Sequence, residues 1–208
     1  MRIRKKKWVQ PYLEQETKYL LKENLKGQFK EKYNAEQLIL EVGMGMGDFL
    51  TALAATNPNN LYIGLEKDET CVAKAIMKAH ELGLENLIII KANAQDIKEI
   101  FAEGEVDMMY LQFSDPWPKK GHFKRRLTYK TFLENYDYIL KTKGQIFFKT
   151  DNQSLYCFSL PSMTSYGFKM LEMSLNYHAD EIHYPLTGYE AKFIELGMPI
   201  YYALFEKE

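Results

Sequence analysis

Between Leu38 and Thr150 the chain alternates short apolar runs with amphipathic stretches, and that alternation limits its possible folds more than any other feature. Leu38-Ile39-Leu40-Glu41-Val42-Gly43, Leu61 to Glu66, Leu87 to Ile90, Val106 to Phe113 and Gln145 to Thr150 have the length and apolarity of buried strands. Helical patterns over Asp48–Ala55, Glu69–Leu82, Asp96–Phe101 and Tyr129–Leu140 separate them, and Ser154–Met163 follows. Consecutive strands joined through helices run parallel, because the crossover returns the chain to the same end of the sheet. Phe168 to Asn176 and Pro199 to Phe205 alternate as two closing strands. The expectation is an α/β fold: a doubly wound, mostly parallel seven-stranded sheet with helices on both faces. Residues 34–208 form one domain in this reading. Residues 1–33 precede it as a basic, aromatic arm, with a helix expected around Glu16 to Leu25. The second half of that segment reads equally as mobile or as packed on the sheet edge.

An apolar fraction of 46% and a charged fraction of 26% are those of an ordinary globular protein. No apolar run approaches the ~20 residues of a membrane span. Arg2, Arg4, Lys5, Lys6 and Lys7 lack the apolar segment of a secretory signal. A cytoplasmic protein without membrane contact is expected. Cys71 and Cys157 stand apart and read as small core residues. His80, His122, His178 and His183 form no ligand set, so no metal is expected. The formal net charge of −1 conceals two basic patches, Arg2–Lys7 and Lys119, Lys120, Lys124, Arg125, Arg126. Phosphates respond to local patches rather than to the sum, so nucleic acid remains a candidate partner.

The second patch belongs to the loop Phe113-Ser114-Asp115-Pro116-Trp117-Pro118-Lys119-Lys120. Asp115 follows the fourth strand at its C-terminal end, where open α/β sheets bind ligands. The prolines restrict the residues before them, so Ser114-Asp115 and Trp117 are expected to be extended. A carboxylate, an indole and phosphate-binding charge side by side suit a protein that grips a base. Trp117 reads either as a stacking surface or as a core residue that shapes the loop.

Glu41-Val42-Gly43-Met44-Gly45-Met46-Gly47 joins the first strand to the first helix. Glycines let the backbone turn and approach a ligand closely. A dinucleotide site would read G-x-G-x-x-G; here the spacing is G-x-G-x-G, and a carboxylate precedes it. That acid would repel phosphate and suits a cationic amino-acid group. Glu66, closing the second strand, is placed to accept hydrogen bonds from ribose hydroxyls. Together these features suit S-adenosylmethionine. Asn93, after the third strand, can both donate to and accept from an adenine edge.

With these residues in place, the chain resembles the class I S-adenosylmethionine-dependent methyltransferases. More narrowly it resembles the bacterial tRNA (guanine-N7-)-methyltransferase family, which modifies a guanine in the tRNA variable loop. Four motifs carry the resemblance: residues 113–120, Lys124-Arg125-Arg126-Leu127-Thr128, Phe148-Lys149-Thr150-Asp151-Asn152, and Thr187-Gly188-Tyr189-Glu190-Ala191-Lys192-Phe193. It implies cofactor contacts from Glu41, Gly43, Gly45, Gly47, Glu66, Asn93 and Asp115. It implies contacts to the target guanosine from Lys119, Asp151, Thr187, Gly188, Tyr189 and Glu190. Lys120, Lys124, Arg125 and Arg126 are expected to meet tRNA phosphates. Family members tend to carry another basic residue where this chain has Gly121, and often an acid at Asn93. The assembly reads as monomer or homodimer.

Guanine N7 offers an in-plane lone pair, so no base is needed to free it. As positive charge develops on the purine, its N1–H and amino group become better donors. A carboxylate on that edge therefore favours the transition state over the substrate. Asp115 and Asp151 are the candidates, with Asp115 the expected catalytic group. Three rivals follow from the same residues. A methyltransferase for an exocyclic amine shares an Asp-Pro-aromatic loop, but its second proline stands one position earlier. A non-catalytic RNA-binding protein would have no need of Glu41 and Glu66. A nicotinamide enzyme would need the other glycine spacing.

Overall fold

The computed structural model describes residues 6–177 and 188–208. Helices α1 (Val9–Gln15) and α2 (Phe29–Tyr33) precede β1 (Leu38–Val42), α3 (Asp48–Thr56), β2 (Leu61–Glu66) and α4 (Glu69–Leu82). Then come β3 (Leu87–Lys91), α5 (Ile97–Ile100), β4 (Val106–Gln112), α6 (Lys130–Ile139) and β5 (Leu140–Thr150). The chain closes with α7 (Gln153–Tyr166), β6 (Lys169–Ser174), α8 (Gly188–Glu195) and β7 (Tyr201–Glu206).

The seven strands form one sheet in the order β3-β2-β1-β4-β5-β7-β6. β1 to β5 pair in parallel, and β7 lies antiparallel to both β5 and β6. The order reverses between β1 and β4, so the C-terminal ends of those strands flank the crevice where such sheets bind ligands. Alternation along the strands feeds two cores. Leu38, Leu40 and Val42 join Phe101, Leu133 and Phe148 on one face. Ile39 joins Phe49, Val72, Tyr110 and Phe147 on the other. Burial on both faces explains the nearly continuous apolar strands.

Local signals account for the helix ends. Asp68 caps α4 by accepting from Thr70 N and Cys71 N, and Gly83 ends it in a left-handed turn. Asn152 caps α7 by accepting from Leu155 N at 2.9 Å.

Four expectations need correction. Glu16 to Leu25 is not helical: Glu16 Oε1 accepts from the amides of Lys18 and Tyr19 and turns the chain there. Leu21 N then donates to Ile89 O, and Ile89 N donates to Tyr19 O, which adds this segment to the edge of β3. Tyr19 OH lies within hydrogen-bond distance of the Ala79 and Leu84 carbonyls. These long-range bonds outweigh local helix propensity. The helix of this region is α1 instead, whose Val9 and Leu13 are buried. Secondly, β5 begins at Leu140, pairing with Val106 before a register shift. Thirdly, Cys157 is exposed, whereas Cys71 is buried. Lastly, Trp117 is not extended; its φ is 42°.

No helix of the described residues is long and apolar enough to cross a membrane. No cluster of metal-ligating side chains occurs among the described residues.

Candidate active site

A cleft of about 430 Å³ opens at the C-terminal ends of β1 to β4. Val42, Gly43, Leu65, Glu66, Asn93, Asp115, Trp117, Lys124 and Arg125 line it, with Leu127 and Phe132 as apolar wall.

The glycine loop reaches the cleft at Gly43. Gly43, Gly45 and Gly47 have φ of 78°, 56° and 74°, left-handed values that favour glycine. Gly43 N donates to Leu65 O at 2.8 Å, tying the loop to β2. Glu66 bridges the two neighbouring turns. Its Oε2 accepts from Gly45 N at 3.1 Å, and its Oε1 accepts from Lys67 N and Asp68 N. Asn93 Oδ1 accepts from Gln95 N and caps the short 3₁₀ turn Ala94–Asp96. Its amide N–H groups are therefore what it can offer an adenine.

Asp115 is exposed at the mouth of the cleft. It stands between two residues of unusual backbone geometry, Phe113 with φ 48° and Trp117 with φ 42°. Left-handed geometry costs a residue with a side chain about 1–2 kcal/mol and persists where surrounding bonds fix it. Phe113 N donates to Lys149 O at 2.9 Å on one side. On the other, Arg126 Nε donates to Pro116 O at 2.9 Å and Nη2 to Trp117 O at 3.4 Å. One face of the Trp117 indole carries the Arg125 guanidinium, 4.9 Å from the ring centroid, and His122 meets the ring edge-on. The 3₁₀ turn Lys120–Arg125 holds Lys120, Lys124 and Arg125 exposed, with Lys119 before it. Arg126, expected among the phosphate ligands, is instead buried over the Phe158 ring. Its fork is occupied by carbonyls of the loop.

Glu41, Gly45, Gly47 and Asp151 do not line the cleft. Glu41 is buried beneath it, with Gln112 Nε2 donating to Oε1 at 3.5 Å and Oε2 without a partner. Burial pushes the Glu41 carboxyl up to about 8, against the pull of Gln112 and of the Lys149 charge. Asp151 closes β5, and the cap of α7 falls to Asn152 rather than to Asp151. Glu190, expected to meet guanosine, is buried in an ion pair with Lys149 at 2.7 Å. Gly188 and Tyr189 open α8. Thr187 lies outside the described residues, as do Arg2, Arg4 and Lys5.

The sequence gives Lys149 no role of its own, although a charge directly after the apolar run Ile146-Phe147-Phe148 marks it. Its ammonium lies 5.7 Å from the Phe49 centroid, 5.9 Å from Phe147 and 5.1 Å from Tyr177. Burial draws it below the usual lysine range, opposed by Glu190 and Glu41.

The methyltransferase family model Methyltransf_4 matches residues 35–203. A tRNA (guanine-N(7)-)-methyltransferase of Limosilactobacillus reuteri (strain DSM 20016) is 45% identical over 206 residues, covering 97% of each chain. Its counterpart from Staphylococcus aureus (strain Mu3) is 44% identical over 204 residues, covering 97% of this chain and 95% of that one. The chain belongs to the tRNA (guanine-N7-)-methyltransferase family. Among solved structures, the 16S rRNA methyltransferase KamB is similar at a TM-score of 0.67 and 15% identity, covering 90% of this chain and 95% of that one. A SAM-dependent methyltransferase from Aquifex aeolicus is similar at a TM-score of 0.58 and 14% identity, covering 86% and 87%. At such identities the likeness concerns the fold, the doubly wound class I methyltransferase sheet. For this family member the cleft at the ends of β1 to β4 is the candidate site of methyl transfer.

Proposed function

We propose that this methyltransferase uses S-adenosylmethionine to methylate N7 of a guanine in the variable loop of tRNA. The observation that carries the reading is a single cleft lined both by Glu66 and Asn93 and by Asp115, Lys124 and Arg125. The first pair suits a nucleoside without phosphates; the second group suits a base and its backbone.

The residues present fit the cofactor. A Cβ at Gly43 would meet only Leu127, at 3.9 Å, and one at Gly45 would meet nothing within 4 Å, so a ligand can lie close to this backbone. Glu66 would accept from the ribose hydroxyls, and Asn93 would read the adenine between the apolar Leu65, Ala92 and Phe132. Glu41, buried beneath the cleft with its carboxyl raised to about 8, would act on the amino-acid end from behind the glycine loop and release its proton only when the cofactor's positive charge is in place. When bound, S-adenosylmethionine supplies a methyl group activated by its sulfonium.

Asp115 would accept from the N1–H and amino group of the guanine, which stabilises the purine as it becomes positive. Asp151 after β5 and Lys119 before the basic turn would orient the nucleoside. Lys120, Lys124 and Arg125 would hold the phosphates. Because N7 needs no deprotonation, much of the rate would come from orientation.

Tritium transfer from labelled S-adenosylmethionine to unmodified tRNA, followed by nucleoside analysis, tests the reading. Label in N7-methylguanosine from the variable loop is expected, and Asp115→Ala should abolish it with the fold intact. Label in a methylated amine would instead favour the exocyclic-amine reading.

A further inference from the structure

On one side, the Arg126 side chain holds the loop that carries Asp115. Arg126 reaches back to the carbonyls of Pro116 and Trp117, the two residues that follow Asp115. Neither Pro116 nor Pro118 has an N–H, so the loop cannot close itself with backbone donors at those positions. Trp117 also precedes a proline while its φ is 42°, a combination that Pro118 crowds. The guanidinium is itself held, with Phe158 of α7 4.5 Å beneath its carbon. Beside it, Thr128 Oγ1 and Ser159 Oγ share a hydrogen bond of 2.7 Å, and Ser162 Oγ donates to Thr128 O at 2.6 Å. The chain after Arg126 is thus pinned to α7, the helix that also carries Phe158. Lys124 and Arg125, its immediate neighbours, are exposed and line the cleft; Arg126 is buried.

We propose that Arg126 is a positioning residue for Asp115. Its planar fork spans two successive carbonyls and fixes the direction in which the loop presents the carboxylate to the cleft. Lysine cannot reproduce this, since an ammonium on a flexible stem neither spans both carbonyls nor offers Phe158 a planar cation. The basic run therefore divides by role, with exposed members for phosphate and one buried member for the loop. This inference rests on the proposed methyl transfer to tRNA.

The test compares Arg126→Met and Arg126→Lys with Lys124→Ala, Arg125→Ala and the unaltered protein. Methyl transfer from labelled S-adenosylmethionine to unmodified tRNA is followed to saturation at several salt concentrations, with thermal unfolding in parallel. For Arg126→Met, kcat should fall about tenfold to a hundredfold, the scale of a small misplacement of a reacting group. The salt slope of the apparent tRNA affinity should stay at its original value. Arg126→Lys should recover part of that kcat, also with an unchanged slope. Lys124→Ala and Arg125→Ala should each reduce the slope by about one, as loss of a phosphate contact does. A slope reduced by about one in the Arg126 variants would make Arg126 a phosphate ligand and overturn the proposal. Full kcat in both Arg126 variants would overturn it as well. Should Arg126→Met fail to fold, Arg126→Lys decides by the same two readings. If the unaltered protein leaves tRNA unlabelled, the substrate reading has failed, and this is seen before any variant is compared.

Discussion

Lys149 Nζ lies 2.7 Å from Glu190 Oε1, and the two side chains are 1% and 0% exposed. The pair joins β5, two residues before Asp151, to the first turn of α8. Gln112, the register partner of Lys149 on β4, donates in turn to Glu41 on β1. A polar row thus crosses the aromatic layer beneath the cleft.

Removing one partner of such a pair strips the other buried charge of the counter-charge the pair supplies. Lys149→Ala or Glu190→Ala should each lower stability by about 3–5 kcal/mol. The double variant Lys149→Met/Glu190→Leu should cost far less than the two singles together, because it removes both desolvation penalties at once. Urea unfolding of the three variants measures this, and simple additivity would show that the pair is not coupled.

Glu41 gives the fold a pH dependence of definite sign. Its folded carboxyl is raised from 4.5 to about 8, so the folded state holds a proton that the unfolded chain has released. Its contribution is complete below the unfolded value of 4.5 and is lost as pH rises through about 8. Glu41→Gln, which stays neutral, should therefore raise Tm at pH 8 relative to the parent, with a much smaller difference at pH 4.5. Equal shifts at both pH values would place the titration on another group.

Gly47 is required by space as well as by conformation. A Cβ there would stand 2.7 Å from Ala75 Cβ and 3.3 Å from its Cα, on a backbone with φ 74°. Gly47→Ala should destabilise by about 2–3 kcal/mol through strain and overpacking. Gly45→Ala, with nothing within 4 Å but a φ of 56°, should cost only about 1 kcal/mol. Thermal or urea unfolding would reveal the difference, and equal losses would contradict the steric argument.

The exposed cations of the basic turn should act through counterion release. Lys120→Ala should weaken tRNA binding across tRNA species and reduce the salt slope by about one. Filter binding between low and moderate salt measures both, and a binding constant indifferent to salt would remove phosphate contacts from the account.

Sequence alone determined the order of strands and helices from β1 to α7, because each buried strand and amphipathic helix there carries its own local period. It also determined the glycine loop, whose left-handed turns call for residues without a side chain. The cleft brings Gly43, Glu66, Asn93 and Asp115 together, since all four lie at or just past strand ends that a parallel sheet aligns. Tertiary structure decided the rest. Residues 16–25 carry a helical pattern, yet the Leu21 amide and the Tyr19 carbonyl find partners on β3, and the Tyr19 hydroxyl finds them at the end of α4, far away in sequence. Arg125 and Arg126 are identical as letters. One lies on Trp117 in solvent, while the other is buried against Phe158 with its donors on loop carbonyls. Glu190 meets Lys149 forty-one residues away, and no local pattern encodes that pairing. Which charge faces solvent and which is buried depends on what the folded chain sets opposite it, and that is fixed only when the sheet closes.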